Sequence, residues 1–146
     1  MAEDTIDWKA MNDWNKSVIE EFRATGGKPG GQMDGAYVLL LMTIGAKSGQ
    51  RRTNPLIYLP YNDSFVIFAS KGGSPTHPDW YHNLIAHPQA TVEVGTETFE
   101  VTARVATGEL RDQLYAMQAK AAPQFADYGA KTARQIPVII LERRTA

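Results

Sequence analysis

Apolar residues recur at intervals of three and four in the first part of the chain and predict an amphipathic helix over Asp7–Arg23. The apolar stripe consists of Trp8, Met11, Trp14, Val18 and Phe22. Glu20 and Glu21 fall on the polar side. Such a helix packs on a protein core or lies on a membrane or lipid, and an acidic polar face disfavours the membrane. The glycine-rich segment Gly26–Gly31 ends the helix and predicts a flexible connection.

After this connection, short apolar or alternating runs replace the helical spacing. The predicted strands are Tyr37–Thr43, Thr53–Leu59, Phe65–Ser70, Ala90–Val94, Thr98–Ala106 and Ile136–Leu141. Pro55 requires the start or the edge of its strand, because proline cannot donate to a neighbour. Two further helices are predicted at Pro78–Ala86 and Glu109–Ala121. Six short strands joined mostly by turns predict an α+β fold, mainly β, with a six-stranded antiparallel barrel and flanking helices.

Length, charge and cysteine content narrow the classes of protein. The 146 residues predict an N-terminal helix and linker at residues 1–31 and a barrel domain at residues 32–146. Lysine and arginine total 15 against 16 acidic residues, which argues against a dedicated nucleic-acid binder. The lack of cysteine excludes disulfides, thiolate metal sites and thiol catalysis. Met1–Ile6 does not resemble a signal peptide and no apolar run reaches ~20 residues, so we expect a cytoplasmic protein.

Positive charge is concentrated in one segment, Gly45–Pro55, although the whole chain is nearly neutral. Lys47, Arg51 and Arg52 fall within six residues that contain no acid, and Ser48 lies among them. Arginine forms forked bonds to phosphate or carboxylate oxygens, and lysine adds a point charge. The segment fits an anion-binding loop and equally a solvated basic turn between two strands. Composition leaves both interpretations open.

Two other segments combine glycine, hydroxyl and aromatic residues. Ser70–Leu84 joins a predicted strand to a helix, where backbone amides can receive an anion and Trp80 and Tyr81 can border a flat ring. Phe125–Tyr128 is a candidate aromatic cap. Both segments also fit ordinary core packing. The three histidines, spaced by five, do not share one helical face, and no metal or hydrolase motif occurs.

In combination, these segments resemble the deazaflavin-dependent nitroreductase family, which uses coenzyme F420. The matching motifs are Gly-x-Lys-Ser/Thr-Gly-x-x-Arg-x-Asn-Pro at Gly45–Pro55, Ala-Ser-Lys-Gly-Gly at Ala69–Gly73, Pro-x-Trp-Tyr-x-Asn-Leu at Pro78–Leu84 and Arg-x-Ile-Pro at Arg134–Pro137. The likeness spans about Tyr37–Glu142, and the order and spacing of the motifs make it specific. It implies a split β-barrel related to FMN-binding barrels.

The resemblance also implies roles for particular residues. The phosphate and acidic tail of F420 would contact Lys47, Ser48, Gly49, Arg51 and Arg52. The ring system would lie between Asn54 and Pro55 on one side and Ile67, Phe68, Ala69, Ser70 and Lys71 on the other, with Trp80, Tyr81 and Asn83 closing the site. Ile57, Phe125 and Tyr128 would form the substrate wall. Ser70 or Tyr128 would donate or relay a proton, although a hydroxyl of ordinary acidity acts first as an orienting group.

The implied reaction is hydride transfer from reduced deazaflavin to an electron-poor small molecule, namely a quinone, a nitro compound or a conjugated carbonyl compound. The substrate wall has fewer tyrosines than that of some nitroreducing members, so we do not expect efficient activation of bulky nitroimidazoles. Quinones and other flat conjugated carbonyl compounds are the candidate acceptors. One alternative is an FMN-binding oxidoreductase on a similar barrel, whose single phosphate requires fewer cations. Another is a non-catalytic carrier of a lipid or cofactor. The sequence does not fix the oligomeric state.

Overall fold

The computed structural model describes residues 8–30, 36–70, 76–132 and 134–144 of the chain. The helices in these ranges are α1 (Trp8–Thr25), α2 (Asp79–Ala86), α3 (Gly108–Ala121) and α4 (Gln124–Lys131). The strands are β1 (Val38–Ile44), β2 (Arg51–Ile57), β3 (Leu59–Tyr61), β4 (Ser64–Phe68), β5 (Gln89–Val94), β6 (Glu97–Val105) and β7 (Val138–Arg143). The predicted α+β class, mainly β, is confirmed. No helix in the described ranges is long and apolar enough to cross a bilayer.

All seven strands belong to one antiparallel sheet in the order β2-β1-β5-β6-β7-β4-β3. Strands β2 and β3 form its two edges, yet only Tyr58 separates them in sequence. The chain therefore changes partner at Tyr58, from β1 before it to β4 after it. The sheet curls into a barrel that stays open between β2 and the last residues of β4. This split barrel confirms the architecture that the resemblance implied.

The strand count differs from the prediction at this change of partner. The single strand predicted at Thr53–Leu59 is β2 followed by the start of β3. Pro60 lies in β3, and its missing N–H suits an edge that has no further neighbour in the sheet order. Pro55 lies inside β2, which is the other edge, as its chemistry requires. Seven strands therefore result where six were predicted.

The barrel interior is filled by alternate residues of five strands and sealed by α2. The buried interior side chains include Leu39, Leu41, Ile67, Val92, Val101, Ile139 and Leu141. From α2, Trp80 and Leu84 pack on the same cluster and are almost fully buried. Short helix α2 is thus a plug in the barrel, and burial of its two large side chains holds it there.

The outer faces of the strands carry two further apolar clusters under the remaining helices. The α1 cluster contains Phe22, Val38 and Leu40, with Ile19 and Ile57 packed against it. The α3–α4 cluster contains Val66, Phe68, Ala106, Leu114, Phe125, Val138 and Ile140. Strand β1 is therefore covered on both faces, which explains its nearly continuous apolar sequence.

Helix α1 is attached to the outside of the barrel by an apolar contact and an ion pair. Phe22 is 1% exposed in the α1 cluster, whereas Trp14, which the predicted stripe also included, is 37% exposed. The Arg23 guanidinium donates to both carboxylate oxygens of Glu93, at 3.2 and 2.7 Å. Gly27 passes so close to Gly95 that a Cβ on it would lie 2.6 Å from the Gly95 Cα. The side chains of Trp8 and Met11, two other members of the predicted stripe, lie outside the described part of the chain. The predicted domain boundary at residue 31 stays a prediction.

We expect the apolar contact, and not the ion pair, to hold α1 on the barrel. Phe22→Ala should lower the free energy of unfolding by about 3–5 kcal/mol, since it empties a buried aromatic site. Arg23→Ala should cost less than about 1 kcal/mol, because the Arg23 side chain is half exposed. Arg104→Ala, which removes a comparably exposed pair with Glu142, is the matched control for Arg23. Urea denaturation measures all three, and an equal loss for Phe22→Ala and Arg23→Ala would contradict this account.

Candidate functional site

Most of the residues singled out in the sequence lie at one end of the barrel, which we call the open end. Strand pairing places Ile44 beside Arg51 and Phe68 beside Val138, so β1 and β4 end where β2 and β7 begin. The β1–β2 turn, the end of β4 and helix α2 therefore meet at this end. The Tyr58 link and the Gly95 turn lie at the opposite end. The described parts of the sequence motifs thus converge in space.

The β1–β2 turn is held by its own backbone and by Ser48. The Gly45 N–H donates to the Gln50 carbonyl at 2.8 Å, and the Gln50 N–H donates to the Ser48 hydroxyl at 3.1 Å. A Cβ on Gly45 would collide with the Ser48 hydroxyl unless that side chain moved, and Gly49 adopts a φ of +71°, a backbone conformation that favours glycine. Lys47 is exposed at the tip. Ser48 and Gly49, expected to contact the cofactor, shape the turn that presents Lys47.

Asn83 of α2 braces this turn from behind. Its side-chain Oδ1 accepts a hydrogen bond from the Ala46 N–H at 2.9 Å, and its Nδ2 donates to the Thr43 hydroxyl at 3.1 Å. Asn83 is 7% exposed. Both ends of the amide are therefore used inside the protein. The residue that the resemblance placed at the edge of the site fixes the position of the β1–β2 turn.

Strand alternation separates the two arginines of β2. Arg52 lies opposite Thr43 and Arg51 lies opposite Ile44, so their side chains leave opposite faces of the sheet. The face of Arg52 is the one on which Asn54 lies, opposite the interior residue Leu41. Both arginines are exposed. None of the ion pairs among the described residues involves Lys47, Arg51 or Arg52. Lys47 and Arg52 can serve the open end, while Arg51 faces the other way.

The end of β4 offers backbone atoms more than side chains to the open groove. Ile67 and Ala69 are fully buried inside the barrel, and Phe68 is buried on the outside in the α3–α4 cluster. Ser70 is 8% exposed. In the described part of the chain β4 pairs along this stretch with β7 alone, so its other edge faces β2 across the split. Lys71, also expected to line the site, lies outside the described residues.

Arg134 is a residue of the open end whose role the sequence did not predict. Its guanidinium donates to the carbonyl oxygens of Ala69 and Ser70, at 3.0 and 2.8 Å, and contacts His77 Nδ1 at 3.0 Å. Burial lowers the pKa of Arg134 from its ordinary value. Burial also lowers the pKa of His77, and the nearby Arg134 and His82 lower it further. The Arg-x-Ile-Pro motif was the available signal, because it puts an arginine just before a buried strand.

The expected substrate wall is divided between two clusters. Ile57 packs in the α1 cluster, whereas Phe125 and Tyr128 lie in the α3–α4 cluster with their rings 5.2 Å apart. The candidate aromatic cap is helix α4, and the Tyr115 hydroxyl donates to the Phe125 carbonyl. Phe125 is 6% exposed, so it acts as a core residue in this structure.

A small cavity at the open end lies between the beginnings of α2 and α3. Its volume is about 260 Å³, and its lining includes His77, Tyr81, Thr107, Arg111 and Pro137. The Arg111 guanidinium is held at the wall by two hydrogen bonds to the Ile136 carbonyl, at 3.2 and 2.8 Å. Nothing in the sequence pattern indicated this cavity, because its walls come from three separate segments of the chain. Among the described residues, no cluster of His, Asp or Glu could hold a metal.

The Asn83 brace can be tested by removing its amide. Asn83→Ala should lower the free energy of unfolding by about 1–3 kcal/mol, because Thr43 and the Ala46 N–H lose a buried partner. The Ala46 amide should also exchange with solvent faster. Ile85→Ala, on the 55% exposed side of the same helix, should change stability by no more than about 0.5 kcal/mol. Unchanged exchange at Ala46 would show that the turn does not depend on Asn83.

Comparison with known proteins agrees with the geometry. A family model described as F420H(2)-dependent quinone reductase matches residues 14–143. An F420H(2)-dependent quinone reductase of Mycobacterium tuberculosis (strain ATCC 25618 / H37Rv) is 41% identical over 129 residues, which cover 84% of this chain and 85% of that protein.

Two solved structures share the fold and much of the sequence. An F420-H2 dependent reductase (FDR-A) is 42% identical with a TM-score of 0.67, and the match covers 72% of this chain and 93% of that one. A domain-swapped dimer is 36% identical with a TM-score of 0.69, over 93% of this chain and 98% of that one. The family model spans residues 14–143 and therefore includes every motif of the open end. The chain belongs to the F420H(2)-dependent quinone reductase family.

Proposed function

We propose that the split between β2 and β4 binds reduced coenzyme F420, and that the chain transfers a hydride from it to a quinone. Membership of the family makes the chain an oxidoreductase that uses F420. The observation that carries the assignment of the site is the meeting of the β1–β2 turn and the β4 edge at the open end. We further propose that residues 32–146 form the cofactor-binding domain and that residues 1–31 are an N-terminal attachment.

The charges at the open end fit the acidic tail of F420. This tail carries a phosphate and several glutamate carboxylates. Lys47 at the turn and Arg52 on the groove face of β2 are exposed and have no acidic partner among the described residues. Their charge is therefore available to an anionic ligand, and the Asn83 brace fixes the turn that carries Lys47. Arg51, on the opposite face, would contribute through longer-range attraction.

The edges of the split fit a flat ring. The backbone of Ile67–Ser70 lies on one side, and the half-buried Asn54 lies on the groove face of β2 on the other side. Trp80 closes the barrel beneath, since it is 6% exposed in the interior cluster. Backbone donors and acceptors along an unpaired strand edge can orient the polar edge of a ring. The apolar interior side chains behind that edge exclude water from it.

Bound reduced F420 supplies the hydride, so this chain has to orient the two reactants, exclude water and manage one proton. Ser70 lies two residues after β4, and its carbonyl is fixed by a hydrogen bond from Arg134. We retain Ser70 and Tyr128 as the candidate groups that donate or relay the proton. Ser70 is the stronger of the two candidates, because it lies at the open end, two residues after the strand that borders the split. A hydroxyl of ordinary acidity acts first by orienting its partner.

Quinones are the acceptors that best fit the family, and nitro or conjugated carbonyl compounds are the other candidates. A quinone accepts a hydride and a proton to become a hydroquinone. FMN binding remains the alternative for the cofactor, and a non-catalytic carrier is the alternative for the activity. The charge at the turn favours F420, because FMN has a single phosphate.

If the F420 tail lies at the β1–β2 turn, the arginine and lysine variants should differ in their affinity for F420 in a defined order. Lys47→Ala and Arg52→Ala should each weaken F420 binding about tenfold, because each loses a charge-assisted contact to the tail. Arg51→Ala should have a smaller effect, since Arg51 lies on the other face. Arg104→Ala, an exposed arginine on β6, is the control and should not change the dissociation constant. Fluorescence titration measures these constants, and added salt should weaken wild-type binding.

Two outcomes would contradict the proposal. Equal dissociation constants for the wild type, Lys47→Ala and Arg52→Ala would show that the tail lies elsewhere. Tighter binding of FMN than of F420 in the same titration would show that FMN is the cofactor. If F420 binds but no quinone, nitro or enone compound oxidises the reduced form, the carrier hypothesis is favoured.

A further inference from the structure

We infer that Arg134 is a positioning residue that holds His77 in the neutral tautomer with its proton on Nε2, and that this N–H donates a hydrogen bond to the carbonyl of a quinone in the neighbouring cavity. The inference rests on the proposed function for its ligand, but the state of His77 can be measured without any ligand. Arg134 and His77 are 57 positions apart in sequence, and the fold brings them together at the open end.

The tautomer follows from the chemistry of the contact. A guanidinium has hydrogen-bond donors only and keeps its charge in proteins. Arg134 Nη1 lies 3.0 Å from His77 Nδ1, so Nδ1 must accept and the ring proton must lie on Nε2. The same guanidinium also donates to the carbonyls of Ala69 and Ser70. Its orientation is therefore fixed by three contacts, and the His77 ring is fixed with it.

The surroundings of His77 keep the ring neutral. Burial lowers its pKa below the ordinary value for histidine, and the positive charge of Arg134 and the neighbouring His82 act in the same direction. The Tyr81 ring packs against it at 4.7 Å, and Arg111 stands on another wall of the cavity. No acidic side chain is among the described residues that line this cavity. His77 is consequently a hydrogen-bond donor near pH 7 and does not supply the proton itself.

The cavity suits a ring-sized carbonyl compound better than a long-tailed cofactor. Its volume of about 260 Å³ is just below the range of roughly 300–1,000 Å³ that is typical of ligand pockets. Tyr81 and Pro137 provide flat or apolar surface, and His77 provides a donor. A donor at a quinone carbonyl stabilises the negative charge that develops as the hydride arrives. Arg134 touches both His77 and the β4 edge, so it couples the cavity to the proposed cofactor groove.

The first experiment measures the tautomer in the free protein. Long-range proton–nitrogen correlation spectra of protein with ¹⁵N-labelled histidine should show His77 at pH 7.5 as one neutral tautomer protonated on Nε2. In Arg134→Gln, Nδ1 loses the guanidinium donor, so the two tautomers should mix and the pKa of His77 should rise. A wild-type His77 protonated on Nδ1, or on both nitrogens, would overturn the inference even if Arg134→Gln does not fold.

The second experiment measures reduction of menadione by the wild type with reduced F420. His77→Phe should lower kcat/KM for menadione about tenfold, the loss of about one hydrogen bond, and leave the F420 dissociation constant unchanged. His77→Gln should restore much of the rate, since its amide keeps an N–H donor. His82→Phe, on the exposed neighbouring histidine, should match the wild type. A merely structural role for His77 would not give rescue by glutamine.

The results that would contradict this inference differ from those that would contradict the proposed function. If the wild type binds F420 and reduces menadione while His77→Phe matches its kcat/KM, the carbonyl donor is not His77. If menadione shifts no resonance of His77 or Tyr81 but inorganic phosphate does, the cavity is an anion site and the inference is overturned. If the wild type does not bind F420 at all, the proposed function fails, whatever the tautomer of His77.

Discussion

The change of hydrogen-bonding partner at Tyr58 is the constraint on which the rest of the structure depends. Strand β2 pairs with β1, and strand β3 continues the same path and pairs with β4. If the whole segment paired with β4, the barrel would have no split. If the whole segment paired with β1, the sheet would not close on itself. Because the chain changes partner, the continuous segment β2–Tyr58–β3 closes the barrel at one end. At the other end, β2 and the last residues of β4 are not paired with each other. In the part of the chain described here, that opening leaves the end of β4 unpaired on the side that faces β2.

Two polar side chains fix the edges of this groove by binding backbone rather than ligand. Asn83 holds the β1–β2 turn through Ala46, and Arg134 holds the end of β4 through Ala69 and Ser70. Both come from outside the strands that they position, so each edge of the groove is fixed by its own contacts. Such preorganisation spares a ligand the cost of ordering these segments. It also leaves exposed cations at the turn free of internal partners among the described residues.

Periodicity and local composition predicted the elements of the fold well. The apolar run of β1 and the alternation of β6 were sufficient to identify strands, because their side chains face distinct layers. The break at Tyr58 was not predictable, since a change of partner leaves no local signal in Thr53–Leu59. Helix α4 was missed because its apolar residues Phe125 and Tyr128 were too few to show a helical period.

The motifs identified the segments of the site, but not the directions of their side chains. Only the strand register shows that Arg51 and Arg52 point to opposite faces of the sheet. Only long-range contacts show that Asn83 and Arg134 hold backbone segments in place.

Hydrogen exchange with and without F420 tests the central claim most directly, namely that the cofactor occupies the split at the open end. The account predicts slower exchange on binding at Ala46–Gln50 and at Ser70, where the turn and the β4 edge meet. Amides of the Gly95–Thr96 turn at the opposite end should exchange at the same rate with and without F420. Protection at Gly95–Thr96 with no change at Ala46–Gln50 would contradict the account, because the cofactor would then lie at the closed end of the barrel.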